Sequence, residues 1–174
     1  MNRTVLAILL LNFLPASSFA ADLSGLVKTV HDGDTLTIQS GQRIRLFGID
    51  APELRQKCRA DAVHQPGPAA CVPCGEQARV ALENLVLGKE IHCLDRGKSY
   101  DRIVGECTVG EVQMGPWMLT HGWAVAYESF LKKADKPAYL GAQSAAKRAN
   151  EGIWAMTWIP PAQWRKKARL ECER

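Results

Sequence analysis

Two stretches of this chain set carboxylates and an arginine at spacings that suit work on a phosphate. The first reads His31-Asp32-Gly33-Asp34-Thr35, and the second Arg43-Ile44-Arg45-Leu46-Phe47-Gly48-Ile49-Asp50-Ala51-Pro52-Glu53. An Asp just before one strand and an Asp-x-x-Glu just after the next can meet at one rim of a barrel. Carboxylate oxygens gathered there suit a hard cation such as Ca2+. An arginine beside them offers a planar fork of donors to a phosphate. The combination predicts chemistry on a phosphodiester rather than simple binding.

The elements that must position these groups are legible from periodicity. Residues 26–30 read as a first strand and 35–40 as a second by alternation, with Ser40-Gly41 as the turn. Residues 42–49 alternate again, with Ile44 and Leu46 on one face and Arg43, Arg45 and Phe47 on the other. A loop rich in Pro, Gly, Ala and Cys fills 54–74, and a helix follows over 75–87, ended by Gly88. Strands are expected over 89–94 and 102–109, joined by a polar turn over 95–101, with Gly110-Glu111 turning toward Val112. A short helix over 117–122 and an alanine-rich one over 138–150 come next. After Pro160-Pro161, residues 163–171 read as a basic helix carrying Arg165, Lys166, Lys167 and Arg169. Such a charge run is most simply a solvated face, and it is left out of the site. Trp117, Trp123, Trp154, Trp158 and Trp164 are read as packing residues. Short strands with interspersed helices fit an α+β fold, mainly β: a five-stranded OB-fold Greek-key barrel with about three packed helices.

Three segments resemble the motifs of the staphylococcal-nuclease (thermonuclease) family. They are Asp32-Gly33-Asp34-Thr35, Arg45 through Glu53, and Tyr100-Asp101-Arg102, in the family's order. The resemblance runs from about residue 26 to about residue 154, where Gly152-Ile153-Trp154 resembles the family's closing segment. It implies that Asp34 and Asp50 are metal ligands for Ca2+, with the backbone carbonyl of Ala51 as a third oxygen. The family often carries Thr at the Ala51 position, a difference that a carbonyl ligand tolerates. Two charged ligands imply a weak site completed by water and substrate phosphate. Asp32 is read as a turn residue instead. Glu53 matches the family's proposed general base, which orients or deprotonates the attacking water. Arg45 and Arg102 match two arginines that hold the phosphate and stabilise the charge of the pentacoordinate transition state. Tyr100 matches a tyrosine at the terminal phosphate, and Tyr127 one near the base, where an aromatic face suits unpaired bases of any identity. The family's lysine beside the phosphate tyrosine is Ser99 here, with Lys98 adjacent.

The resemblance therefore implies Ca2+-dependent hydrolysis of DNA and RNA, preferably single-stranded, with little sequence specificity. Water attacks in line, and the products end in 3'-phosphate. The alternative is a catalytically weak or inactive module of the same family that only binds nucleic acid. Such a module is expected to lose the Arg or Glu positions, whereas Arg45, Glu53 and Arg102 are all present. A further alternative is an exported structural or inhibitor-like protein organised around its cysteines.

Composition bounds these readings. The chain has 174 residues, 22 Lys and Arg against 18 Asp and Glu, 47% hydrophobic and 23% charged residues. That is ordinary globular composition and length for one domain, and it excludes a disordered or fibrous chain. The net charge of +4 is compatible with a polyanionic partner without demanding one. A basic start, an apolar run over 5–14 and Ser18-Phe19-Ala20 read as a secretory signal cut after Ala20. Residues 21–174 are then one domain, with a core over 26–154 and a basic extension over 155–174. No later segment is apolar enough to span a membrane, so a secreted or periplasmic monomer is expected, off the membrane once the signal is cut. Six cysteines in an exported domain argue for disulfides. Cys93 and Cys107 stand on candidate neighbouring strands and could face each other. Cys58, Cys71 and Cys74 crowd the loop after Glu53, so two of them could pair and the third reach Cys172. Zinc held by these cysteines and His64 is disfavoured by the same oxidising context.

Overall fold

The structure, a computed structural model, describes residues 23–60 and 70–173. The candidate leader with its cut site, and His64, lie outside the described residues. Strand β1 spans Leu23–Val30, β2 Thr35–Ile38, β3 Arg43–Leu46, β4 Glu90–Ser99 and β5 Arg102–Val109. They pair in the order β3-β2-β1-β4-β5, each neighbour antiparallel, and a parallel pairing of β3 with β5 closes the ring. The result is a closed five-stranded mixed barrel of the OB-like α+β type. Closure removes the open sheet edges that would otherwise offer unpaired backbone.

Alternation along the strands sends Leu36, Ile44, Leu46 and Ile91 inward, each almost wholly buried. Helix α1, Cys74–Val86, adds Ala78, Leu82 and Val86 from one face. Helix α2 spans Met114–Thr120, α3 Lys136–Ala149 and α4 Pro161–Arg165, so four helices stand among the described residues. Helix α2 starts earlier than the 117–122 expectation, because Met114 and Met118 fill the core one turn apart.

Three other expectations are corrected. Strand β4 does not stop at residue 94 but continues to Ser99, through an irregular register between Asp95 and Lys98, because β5 supplies a partner along its length. The turn shrinks to Tyr100-Asp101, with Tyr100 at φ 57°. Phe47 is not on the outer face with Arg43 and Arg45. The chain turns at Phe47-Gly48, the two-residue period breaks, and Phe47 is buried edge-on against Tyr139 at 5.9 Å. The basic helix expected over 163–171 is only the last turn of α4. Lys167 adopts φ 69°, and Ala168 N–H closes back on Gln163 C=O at 3.1 Å, the pattern of a helix end.

The cysteines pair Cys58–Cys74, Cys71–Cys172 and Cys93–Cys107. Cys93 and Cys107 are direct cross-strand partners on β4 and β5, as their candidate strands suggested. The loop pairs within itself and also reaches Cys172, so no thiol there is left for zinc. That loop also contains two short strands, Cys58–Ala60 and Cys71–Val72, which pair with each other, and Cys58–Ala60 pairs on its other side with Met156–Thr157. The tail is thereby drawn back alongside the loop that follows Glu53. Among the described residues, no helix is long and apolar enough to cross a membrane.

Candidate active site

Register builds the centre of the site. Thr35 on β2 stands opposite Arg45 on β3, and Leu46 N–H donates to Asp34 C=O at 2.8 Å. Asp34, one residue ahead of β2, is thus held against the Arg45 guanidinium, whose Nη1 donates to Asp34 Oδ1 at 2.7 Å. Beyond β3 the chain turns through Gly48 at φ 73°, where a Cβ would lie 2.6 Å from Leu131 Cδ2. A side chain is disfavoured there on both counts. The turn sends Ile49–Asp50 into antiparallel pairing with Val125–Ala126. Asp50 returns to the same arginine, and Arg45 Nη2 donates to Asp50 Oδ1 at 2.9 Å. One guanidinium therefore serves both carboxylates, which are each only 3% exposed.

Asp34 is further bound by Thr35 Oγ1–H on Oδ1 at 2.9 Å and Ala51 N–H on Oδ2 at 3.1 Å. Burial, and after it the Asp32 carboxylate, push Asp34 up to about 7, against the lowering pull of Arg45, Ala51 N–H and Thr35. Asp32 itself accepts Asp34 N–H at 3.0 Å, the turn role expected of it.

Glu53 follows on coil and is fixed from both sides. Its N–H donates to Gln56 Oε1 at 3.2 Å, and its C=O accepts Gln56 N–H at 2.7 Å. The first turn of α1 lies on this coil so closely that a Cβ on Gly75 would fall 1.8 Å from the Glu53 carbonyl oxygen. Arg102 opens β5, and its Nη1 donates to Thr35 Oγ1 at 3.2 Å; among the described residues it joins no ion pair. Its remaining donors are available to an anion. Tyr100 is 95% exposed at the β4–β5 turn, and Tyr127 packs on Phe130 with ring centroids 4.6 Å apart.

Asp34, Arg45, Ala51, Glu53, Tyr100, Arg102 and Tyr127 line one cavity of about 470 Å3, and Asp50 joins it through the arginines it binds. Phe130 and Arg165 also line the cavity, outside the candidate site residues read from sequence. Phe130 carried no motif, and only its placement beside Tyr127 marks it. Arg165 was assigned to a solvated face. Instead its Nη1 donates to Asp50 Oδ1 at 3.0 Å and to Glu53 Oε1 at 2.7 Å, and its Nη2 to Asp50 Oδ2 at 2.8 Å. A signal did exist: a disulfide from Cys172 to the loop after Glu53 brings the segment that holds Arg165 to this rim.

The donors fit a hard dication. Asp34, Asp50 and the Ala51 carbonyl offer oxygen only, and the two buried carboxylates call for cationic charge, here met by guanidinium groups. No group of three or more His, Cys, Asp or Glu among the described residues is arranged to hold a metal ion.

Comparison with known proteins bears on what this cavity does. The model of the family described as staphylococcal nuclease homologue matches residues 43–156. This chain belongs to that family. The chain is similar to the succinoglycan biosynthesis protein ExoI of Rhizobium meliloti (strain 1021), 30% identical over 156 residues, 88% of this chain and 76% of that protein. It is similar to an uncharacterized endonuclease of Escherichia coli, 28% identical over 152 residues, 83% of this chain and 86% of that one. A probable staphylococcal-like nuclease, CAN2 of Oryza sativa subsp. japonica, is 28% identical over 145 residues, 82% of this chain. The match covers 34% of that rice protein, about a third of its length. The matched family segment contains Arg45, Asp50, Ala51, Glu53, Tyr100, Arg102 and Tyr127, but neither Asp34 nor Arg165.

Proposed function

We propose that this chain is an exported, Ca2+-dependent nuclease that hydrolyses DNA and RNA, preferably unpaired, with little sequence specificity, to products ending in 3'-phosphate. The observation that carries the reading is Arg45 gripping Asp34 and Asp50 at a cavity that also takes in Glu53 and Arg102. Relatives named endonuclease and staphylococcal-like nuclease support it. Asp34, Asp50 and the Ala51 carbonyl would hold the cation, which supplies positive charge at the scissile phosphate when bound. Arg45 and Arg102 bind phosphate oxygens and offset the charge that grows in the transition state. Glu53 orients the attacking water and accepts its proton. Tyr100 sits where it can meet a neighbouring phosphate, and Tyr127 with Phe130 offers an aromatic face to an unpaired base. Three disulfides support export.

Cleavage of heat-denatured DNA and of RNA, with Ca2+ or with chelator, tests this directly. Arg45→Ala and Glu53→Gln are each expected to slow cleavage by about 100-fold or more, as loss of a charge-stabilising group or a general base does. Folded wild-type protein that binds DNA but cuts nothing under any divalent cation would replace this reading with the binding module.

A further inference from the structure

Arg165 lies outside the matched residues 43–156, and the chemistry above does not call for it. Yet the segment that carries it is anchored on both sides. Upstream, Gln56 Nε2–H, on a wholly buried side chain, donates to Ile159 C=O at 2.6 Å. Pro160-Pro161 then starts α4. Downstream, the Cys71–Cys172 disulfide pins the tail to the loop after Glu53. Glu173 accepts Lys57 N–H at 2.9 Å and Trp164 Nε1–H at 3.0 Å on Oε1, and Leu170 N–H at 3.1 Å on Oε2. A backbone held from both ends presents Arg165 to Asp50 and Glu53 with little chain freedom left to lose, while its side chain can still swing.

What it binds is a shared resource. Asp50 Oδ2 accepts from Arg165, and Oδ1 is divided between Arg165 and Arg45. A dication on Asp50 needs those same lone pairs, and it repels a guanidinium at that distance. The two arginines differ in their hold. The Arg45 side chain is 15% exposed and clasps two carboxylates from inside the barrel. The Arg165 side chain is 40% exposed, so solvent weakens its pairing and gives it room to leave.

We propose that Arg165 is a positioning residue that acts as a tethered competitor for the cation site: it holds Asp50 and Glu53 while no dication is bound, and a dication takes Asp50 by displacing it. The inference rests on Asp34 and Asp50 being cation ligands. Apparent affinity then equals intrinsic affinity reduced by the fraction of molecules in which Arg165 has let go. Pairing in about nine molecules of ten weakens Ca2+ binding about tenfold. The displaced guanidinium stays at the cavity, because its anchors at residues 159 and 172 do not involve the site.

Calorimetric titration of Ca2+ into the cation-free wild-type chain, Arg165→Gln and Arg165→Lys tests this. Arg165→Gln should bind Ca2+ about tenfold more tightly. Arg165→Lys, which keeps the charge but loses the fork, should fall between the two. Should Arg165→Gln not fold, Arg165→Met carries the test, since it keeps the aliphatic stem, removes the charge and should tighten Ca2+ binding as well. Equal or weaker Ca2+ affinity in folded Arg165→Gln, beside a wild type that does bind, overturns the competitor while the cation site stands. No Ca2+ binding by wild type or any variant removes the cation site itself, and the competitor with it.

Discussion

At the scale of single residues, Asp34 is where opposing forces meet. Burial and the Asp32 carboxylate raise its carboxyl from 3.8 to about 7, so between those values the native chain keeps a proton that the unfolded chain has released. Stability falls with pH wherever the native state binds more protons. The contribution of Asp34 to the cation-free fold is therefore fully present below about 3.8, declines as pH rises, and is gone above about 7. A cation requires the ionised carboxylate, so it competes with that proton. Ca2+ affinity should fall by up to about tenfold per pH unit below 7, with a proton released per ion bound. Titrations at about pH 6 and about pH 8, in buffers of different ionisation heat, measure both; flat affinity with no proton released would mean that Asp34 is already ionised. Residues of this kind were readable in sequence because their chemistry is local: Asp34, Asp50 and Glu53 announce themselves by spacing around two strands. Arg165 was not, since the carboxylates it faces lie 115 and 112 residues away in the chain.

At the scale of elements, the strands were legible because alternation reports a face, and register then did the positioning: Thr35 opposite Arg45 brings Asp34 to the arginine. Alternation failed where a partner element decided the outcome. Strand β4 outran its pattern because β5 pairs with it, and the tail helix fell short of its composition because Lys167 turns left-handed. The contact between α1 and the coil at Glu53 is of the same kind. Gly75 is the second residue of α1, where any Cβ would meet the Glu53 carbonyl oxygen. That neighbour is backbone, so it yields only if Glu53 moves. Gly75→Ala is expected to cost about 1–3 kcal/mol of stability, as overpacking does. It should also slow cleavage by more than about tenfold through the displaced Glu53, since small misplacements of a reacting group are costly. Denaturant melts and single-turnover rates on the same preparation check this. Wild-type values for both would show that the helix can slide without moving the coil.

At the scale of the whole molecule, the barrel and the gathering of the motif residues at its rim were readable from motifs in sequence order, but the return of the tail was not, because it is made by contacts far apart in the chain. Only the cysteines hinted at it, through the surplus cysteine in the loop after Glu53. Cys71 and Cys172 are separated by 101 residues, against 16 for Cys58–Cys74 and 14 for Cys93–Cys107. A cross-link restrains the unfolded chain more as the loop it closes lengthens, by about 3 kcal/mol for a short loop and nearly 5 kcal/mol for the long one in the chain-entropy model. Cys71→Ser/Cys172→Ser should therefore lower the melting temperature by several degrees, and by more than Cys93→Ser/Cys107→Ser does, unless the ladder around the latter pair is also lost. Protein bearing intact disulfides and each double variant, melted side by side without cation, measures the order. If the long cross-link proves the cheaper one to remove, the tail already docks through Gln56 and Glu173 well enough to restrain the chain alone. Arg165 would then be delivered by packing rather than by oxidation. If it proves the costlier one, the same bond that stabilises the fold also sets how firmly an arginine sits on Asp50, and the redox state of the compartment reaches the site through the tail.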